Sequence, residues 1–202
     1  MDLRVKRTRN SIRGAFLSLA GEHAIDRITV TELTKLAGIN KATYYLHYSD
    51  LSSLVEELEN ELVENIVSQF SKADSLFRNS DLFFNKFREG LQNNQEILLI
   101  FYENGRTSSI QDKLVYSLRA KILKENHHLP FNQEMTVVLT FMLRGIVDVS
   151  LYQEYPDYDE VFNAISKTIR VVTDHYWTEI MEQRRLRFVN LEENKKSMPG
   201  NS

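Results

Sequence analysis

Apolar residues return every three or four positions along most of the chain, the period of a helix with one buried side, and no segment alternates as a strand would. The spacing predicts a first helix over about 4–24, with Ile12, Phe16, Leu19, Ala20 and His23 on its inner face. Ile25-Asp26-Arg27-Ile28 follows as a connector. In "TVTELTKLAG", Thr29 stands three residues before Glu32, the reciprocal pattern that satisfies free N–H groups at a helix start. Val30, Leu33, Leu36 and Ala37 give this short helix its apolar side, and Gly38 is its expected left-handed stop. Asn40 can cap a third helix beginning at Lys41. Ser49 or Asp50 can cap a fourth, with Leu51, Leu54, Val55, Leu58, Leu62 and Ile66 inward to about Phe70.

Weaker turn signals divide the remainder: "RNSD" at 78–81, "QNNQE" at 92–96, "ENGRTSS" at 103–109, "ENHHLPFN" at 125–132 and "YPDYD" at 155–159. They leave five helices near 81–92, 95–103, 108–125, 132–154 and 158–184. The last stretch, "NLEENKKSMPGNS", is polar and is expected to fray. Seven glycines and three prolines among 202 residues offer few breaks, so the expectation is an all-α chain of about nine helices.

Composition narrows the class. Hydrophobic residues make up 42%, which is enough for a real core. With no cysteine, disulfides and thiolate metal sites are excluded and a reducing interior is the expected home. "MDLRVKRTRNSIRG" lacks an apolar secretory core, and no apolar run approaches the about 18 residues that span a bilayer. A cytoplasmic protein without a membrane partner is expected. The net charge is −3, yet residues 1–50 carry eight Lys/Arg against five Asp/Glu, leaving the rest at −6. A basic end on an acidic body implies that one end meets an anion.

Candidate chemistry concentrates in "GINKATYYLHYSD", where Tyr44, Tyr45, Leu46, His47 and Tyr48 are consecutive. Such a cluster can be core, a ligand cage or a face for an outside partner. On a helix, Tyr44 and Tyr48 lie within ~40° of each other, with Lys41 and Tyr45 on a neighbouring ridge and Thr43 and His47 on another. No Ser/His/Asp arrangement, paired-His helix or Gly-rich phosphate loop appears, so no enzyme and no cofactor is expected. The adjacent His127 and His128 lack a further ligand at helical spacing, so no metal site is expected either.

Two short helices around Gly38-Ile39-Asn40 form a helix–turn–helix pattern. "ITVTELTKLAGINKATYYLHYSDLSSLVEEL" closely resembles the N-terminal domain of the TetR family of bacterial transcriptional regulators. The matching residues are Thr29, Val30, Ala37, Gly38, Ile39, Asn40, Thr43, Tyr44, Tyr45, His47, Tyr48, Asp50 and Leu54. The resemblance implies a three-helix DNA-binding domain over 1–50 and a helical effector-binding and dimerisation domain over 51–186, with a flexible polar tail over 187–202. It implies that Tyr44 and Tyr48 pack inward, while Lys41, Ala42, Thr43, Tyr45, Leu46 and His47 face DNA, joined by Thr29 and Thr31 from the preceding helix.

These residue types suit that role. Hydroxyls and a ring N–H can donate to phosphate, a lysine can reach a guanine edge, and an alanine permits close approach to a thymine methyl. Arg4, Lys6, Arg7 and Arg9 are either a DNA-seeking arm or the solvated start of the first helix. One departure from the family pattern is Leu51, where a phosphate-contacting lysine is common. The resemblance further implies a homodimer built on the last two helices, which binds a palindromic DNA operator and responds to an unidentified small-molecule effector. Val138, Met142, Ile146, Val149 and Tyr152 form one candidate dimer stripe, and Phe162, Ile165, Ile169, Val172, Tyr176 and Ile180 the other. Phe83, Phe84, Phe87, Phe101, Tyr102, Tyr116 and Phe141 are core or effector-pocket candidates. Arg144 and Asp148 are candidates for a ligand anchor, a mutual pair or the dimer seam. A ligand-responsive repressor is the favoured function. The alternative is an architectural or cell-division factor whose body binds a protein.

Overall fold

The computed structural model describes residues 3–70, 76–77, 79–126, 132–151 and 157–196. Among these residues the fold is all-α and without strands. Its elements are α1 (Leu3–Ala20), a 3-10 turn (Ile25–Arg27), α2 (Val30–Leu36), α3 (Lys41–Tyr45), α4 (Leu51–Ser68) and α5 (Ser80–Gln92). They continue with α6 (Gln95–Glu103), α7 (Thr107–Glu125), α8 (Gln133–Ser150) and α9 (Tyr158–Lys196). No described helix is long and apolar enough to cross a membrane. The chain divides into two compact units, Met1–Ile66 with Gly90–Lys113, and Val67–Glu89 with Leu114–Ser202. The helix–turn–helix therefore shares its unit with α6 and the start of α7.

In the first unit, α1 buries Ile12, Ala15, Phe16 and Ala20. It stops four residues short of the expected end, so His23 is carried off the inner face and is exposed, and Leu19 is only half-buried. Thr29 and Glu32 form the expected reciprocal cap on α2. Leu36 departs from expectation and is 53% exposed, while Thr34 is buried in the same helix. Burial of Thr34 costs little because its hydroxyl donates to the Val30 carbonyl at 2.7 Å. Gly38 has φ 68°, and the N–H groups of Gly38 and Ile39 close back on the carbonyls of Lys35 and Thr34. This ends α2 and aims the chain into α3. The α4 start is capped by Asp50, whose carboxylate accepts from the Ser53 N–H at 2.7 Å. Of the aromatic candidates in this unit, Phe101 is core and Tyr102 is 39% exposed.

The second unit has an aromatic centre in which Phe83 lies 4.8 Å from Phe70 and 6.5 Å from Phe87, ring centre to ring centre. Phe83, Phe84 and Phe87 are core, whereas Tyr116 and Phe141 are 67% and 79% exposed. Of the two stripes expected to face a partner, Met142, Ile146, Phe162 and Ile169 are buried within the chain, whereas Val138, Val149, Ile165, Val172 and Tyr176 are half-buried. Tyr152 and the Ile180 side chain lie outside the described residues, as do His127 and His128. Arg144 and Asp148 pair along α8 at 3.8 Å. The last helix continues to Lys196, past the expected end near 184, so the stretch 187–196 read as tail is helical.

One buried charge stands out in the first unit. Glu59, 1% exposed on α4, accepts from Arg106 Nε at 2.7 Å and from the Ser109 hydroxyl at 2.8 Å. Lys113 Nζ lies 3.0 Å away. Burial alone would push this carboxyl up, but the bonds from Arg106, Lys113 and Ser109 outweigh it and hold the group below the usual range. Glu59→Gln should therefore cost about 1–2 kcal/mol by urea unfolding, since Arg106, 42% exposed, can turn to water while the Lys113 ammonium loses its buried partner. The ionised form stabilises the fold fully above the unfolded value of about 4.3, and this is lost as pH falls through the lowered folded value. The wild type should lose stability more steeply below that pH than Glu59→Gln, and equal slopes would refute the assignment.

Candidate nucleic-acid interface

The five-residue α3 displays one face and anchors the other. Asn40 caps it by accepting from the Thr43 N–H at 2.7 Å. The turn persists past its formal end, with the Tyr48 N–H donating to the Tyr44 carbonyl at 3.0 Å. Tyr44 is wholly buried and Tyr48 is 3% exposed, on the one ridge that helical spacing gives them and facing inward as the family resemblance implies. The Tyr44 hydroxyl donates to the Asp50 carbonyl at 2.9 Å, and the Tyr48 hydroxyl to Glu57 at 2.8 Å. Their rings lie 5.6 Å apart.

On the other face, Lys41 and Ala42 are exposed, Tyr45 is 55% exposed and Leu46 is 83% exposed. Thr43 and His47 are half-buried at the edges of that face. The Tyr45 ring meets Tyr44 edge-on at 5.5 Å, which limits its swing. Thr29 and Thr31 are exposed at the start of α2, but the Thr29 hydroxyl is already engaged with Glu32 at 2.8 Å. In the basic start of the chain, Arg4, Lys6, Arg7 and Arg9 all lie on α1, the first three exposed and Arg9 half-buried.

Arg9 adds a contact that sequence reasoning missed. Its guanidinium pairs with Glu57 and sits 5.6 Å from the Tyr48 ring centre, so Tyr48 is held from two sides. One turn further, Arg13 pairs with Glu61. Arg9/Arg13 and Glu57/Glu61 share a four-residue spacing on two helices, a signal present in the sequence but visible only once those helices are known to lie side by side. Among the described residues no group of His, Asp and Glu could hold a metal ion.

No protein-family model matches the chain. A 76-residue stretch is 32% identical to YxbF of Bacillus subtilis (strain 168), an uncharacterized HTH-type transcriptional regulator. That stretch covers 37% of this chain and 20% of the relative, so the chain spans only a fifth of that protein's length. In three dimensions the chain resembles the TetR family repressor AlkX from Dietzia sp. strain DQ12-45-1b, with a TM-score of 0.56 and 14% identity over 85% of this chain and 96% of that one. It also resembles the dihydroxyacetone kinase operon activator DhaS, with a TM-score of 0.52 and 13% identity over 86% of this chain and 96% of that one. The fold resembles that of a TetR family repressor, and all three proteins are named for roles in regulation.

Burial, with Asp50 near Tyr44 and the bond to Glu57 at Tyr48, pushes both phenols up to about 12. An unfolded tyrosine ionises near 10, so the neutral buried pair stabilises the fold below that pH and stops doing so as pH rises towards about 12. Thermal unfolding from mildly to strongly alkaline pH should show this decline, and Tyr44→Phe with Tyr48→Phe should flatten it. An unchanged slope in the double variant would contradict the assignment.

Proposed function

We propose that the chain belongs to the TetR family and acts as a homodimeric repressor, binding a palindromic operator in double-stranded DNA and releasing it when a small-molecule effector binds. The observation that carries this reading is the exposed side of α3, held rigid by the two tyrosines on its other side. Lys41, Ala42, Thr43, Tyr45, Leu46 and His47 would enter the major groove, with Thr31 beside a phosphate. Thr29 could join only by giving up part of its hydroxyl's bond to Glu32. Leu51, half-buried at the start of α4, supplies no charge to the backbone, so fewer counterions are released on binding. On this reading 1–50 forms the DNA-binding domain and 51–186 the effector and dimer domain, in the cytoplasm.

Dimerisation is supported by a face other than the stripes expected from sequence. On α8, Val137 and Phe141 are 62% and 79% exposed one turn apart, and Val171 on α9 is 73% exposed. An effector with a polar group is supported by Ser150, whose buried hydroxyl has no hydrogen-bond partner among the described residues. Of the two structural likenesses, AlkX is a repressor and DhaS an operon activator, so the sign of regulation is decided by a reporter fused to the operator.

Two outcomes test the reading. In a gel shift with the fragment upstream of the chain's own gene, Tyr45→Phe with His47→Ala should weaken binding by about 10-fold or more, as loss of two phosphate contacts implies. Unchanged binding would remove α3 from the groove. By light scattering the protein should run near twice its 23.7 kDa mass, and Phe141→Arg should return it to that mass. A wild-type monomer at micromolar concentration would end the two-headed scheme.

A further inference from the structure

The turn between α6 and α7 makes contacts that neither the helix–turn–helix nor the proposed dimer face accounts for. Gly105 has φ 67°, and the N–H groups of Gly105 and Arg106 close back on the carbonyls of Tyr102 and Phe101 at 3.0 and 2.8 Å. The direction in which Asn104 and Arg106 leave the turn is therefore set by backbone bonds. Arg106 reaches the buried Glu59 on α4. Asn104 goes the other way. Its Oδ1 accepts the Ile25 N–H at 2.6 Å, while its Nδ2 donates to the Ile100 carbonyl at 2.7 Å.

The bond to Ile25 is unusual in kind. Ile25 opens the 3-10 turn of the α1–α2 connector, and its own N-cap residue, Ala24, makes no side-chain cap. The missing acceptor is supplied from 79 residues further along the chain. A backbone N–H at a helix start needs a partner, and water would serve an exposed connector equally well. Spending a distant side chain there, bonded at both ends of its amide, ties the connector to a fixed point.

We propose that the α6–α7 turn is a positioning junction, in which Asn104 holds the α1–α2 connector and Arg106 holds α4, so that the two ends of the DNA-reading head are set in one register. This rests on the two-headed reading above. Binding through two heads gains from effective concentration only if both can engage at once, so a small change of register is felt by a two-site duplex and hardly by a single site.

The test uses the full-length protein and the duplex that the wild type selects from a random-sequence library, prepared with one half-site and with two. Binding is read by fluorescence anisotropy and stability by thermal unfolding. Asn104→Leu, similar in size but without the acceptor, should weaken two-site binding about 10-fold or more and leave single-site binding within about twofold. Asn104→Asp, which keeps the acceptor for Ile25 but loses the donor to the Ile100 carbonyl, should restore part of the two-site affinity. Equal loss on both duplexes, matched by a lower melting temperature, would make Asn104 merely structural and overturn the junction. So would an unchanged two-site affinity, or stability restored by Asn104→Asp without two-site binding. If the wild type enriches no duplex at all, the regulatory reading itself fails and the junction with it.

Discussion

A helix of five residues has no stability of its own. Closing its first turn costs more than its few hydrogen bonds return, and isolated helices remain marginal below about 12 residues. That α3 exists at all depends on what holds it: the Asn40 cap, the left-handed turn at Gly38, and above all the burial of Tyr44 and Tyr48. The phenols end on hydrogen bonds to Asp50 and Glu57, so the rings bury without stranding their hydroxyls. Because two residues one turn apart are pinned, the rotation of the helix about its axis is fixed. The outward direction of Lys41, Ala42, Tyr45 and Leu46 follows from that.

The support extends into α4, which carries carboxylates on two sides. Glu57 and Glu61, four apart, meet Arg9 and Arg13 of α1. Glu59, half a turn round the helix, points the other way into Arg106, Ser109 and Lys113. The partly exposed pairs to α1 add little energy but define a register, while the buried one punishes any shift that would strand its charges. The compact unit containing the helix–turn–helix consequently includes α6 and the start of α7. The exposed face of α3 is built on a larger body than the first fifty residues.

Likeness of fold at 14% identity shows what is required of such a chain. Helix lengths, the apolar period and the turn between α2 and α3 carry the architecture, and many side-chain sets satisfy them. The second unit makes the same point locally. Its phenylalanine centre and the inner faces of α8 and α9 are filled by large apolar groups, while Val137, Phe141 and Val171 remain in solvent.

Local signals were legible where the physics is local. The helical period, the Thr29–Glu32 cap, the Gly38 stop and the Asn40 cap each involve residues within a few positions of one another, and helical geometry put Tyr44 and Tyr48 on one ridge, while only the family resemblance said that this ridge faces inward. Errors arose wherever a residue's environment came from a distant element. His23 lost its place when α1 ended early, Leu36 gave way to Thr34, and Met142, Ile146, Phe162 and Ile169 of the α8 and α9 stripes were covered within the chain, because a helix pattern names an apolar side without naming what covers it. Periodicity and capping chemistry thus decided the helices and the shared ridge of Tyr44 and Tyr48. Which carboxylate meets which cation, which apolar face stays bare, and that Asn104 caps a turn 79 residues away were decided only by tertiary packing, since such contacts depend on distances that neighbours in the chain do not encode.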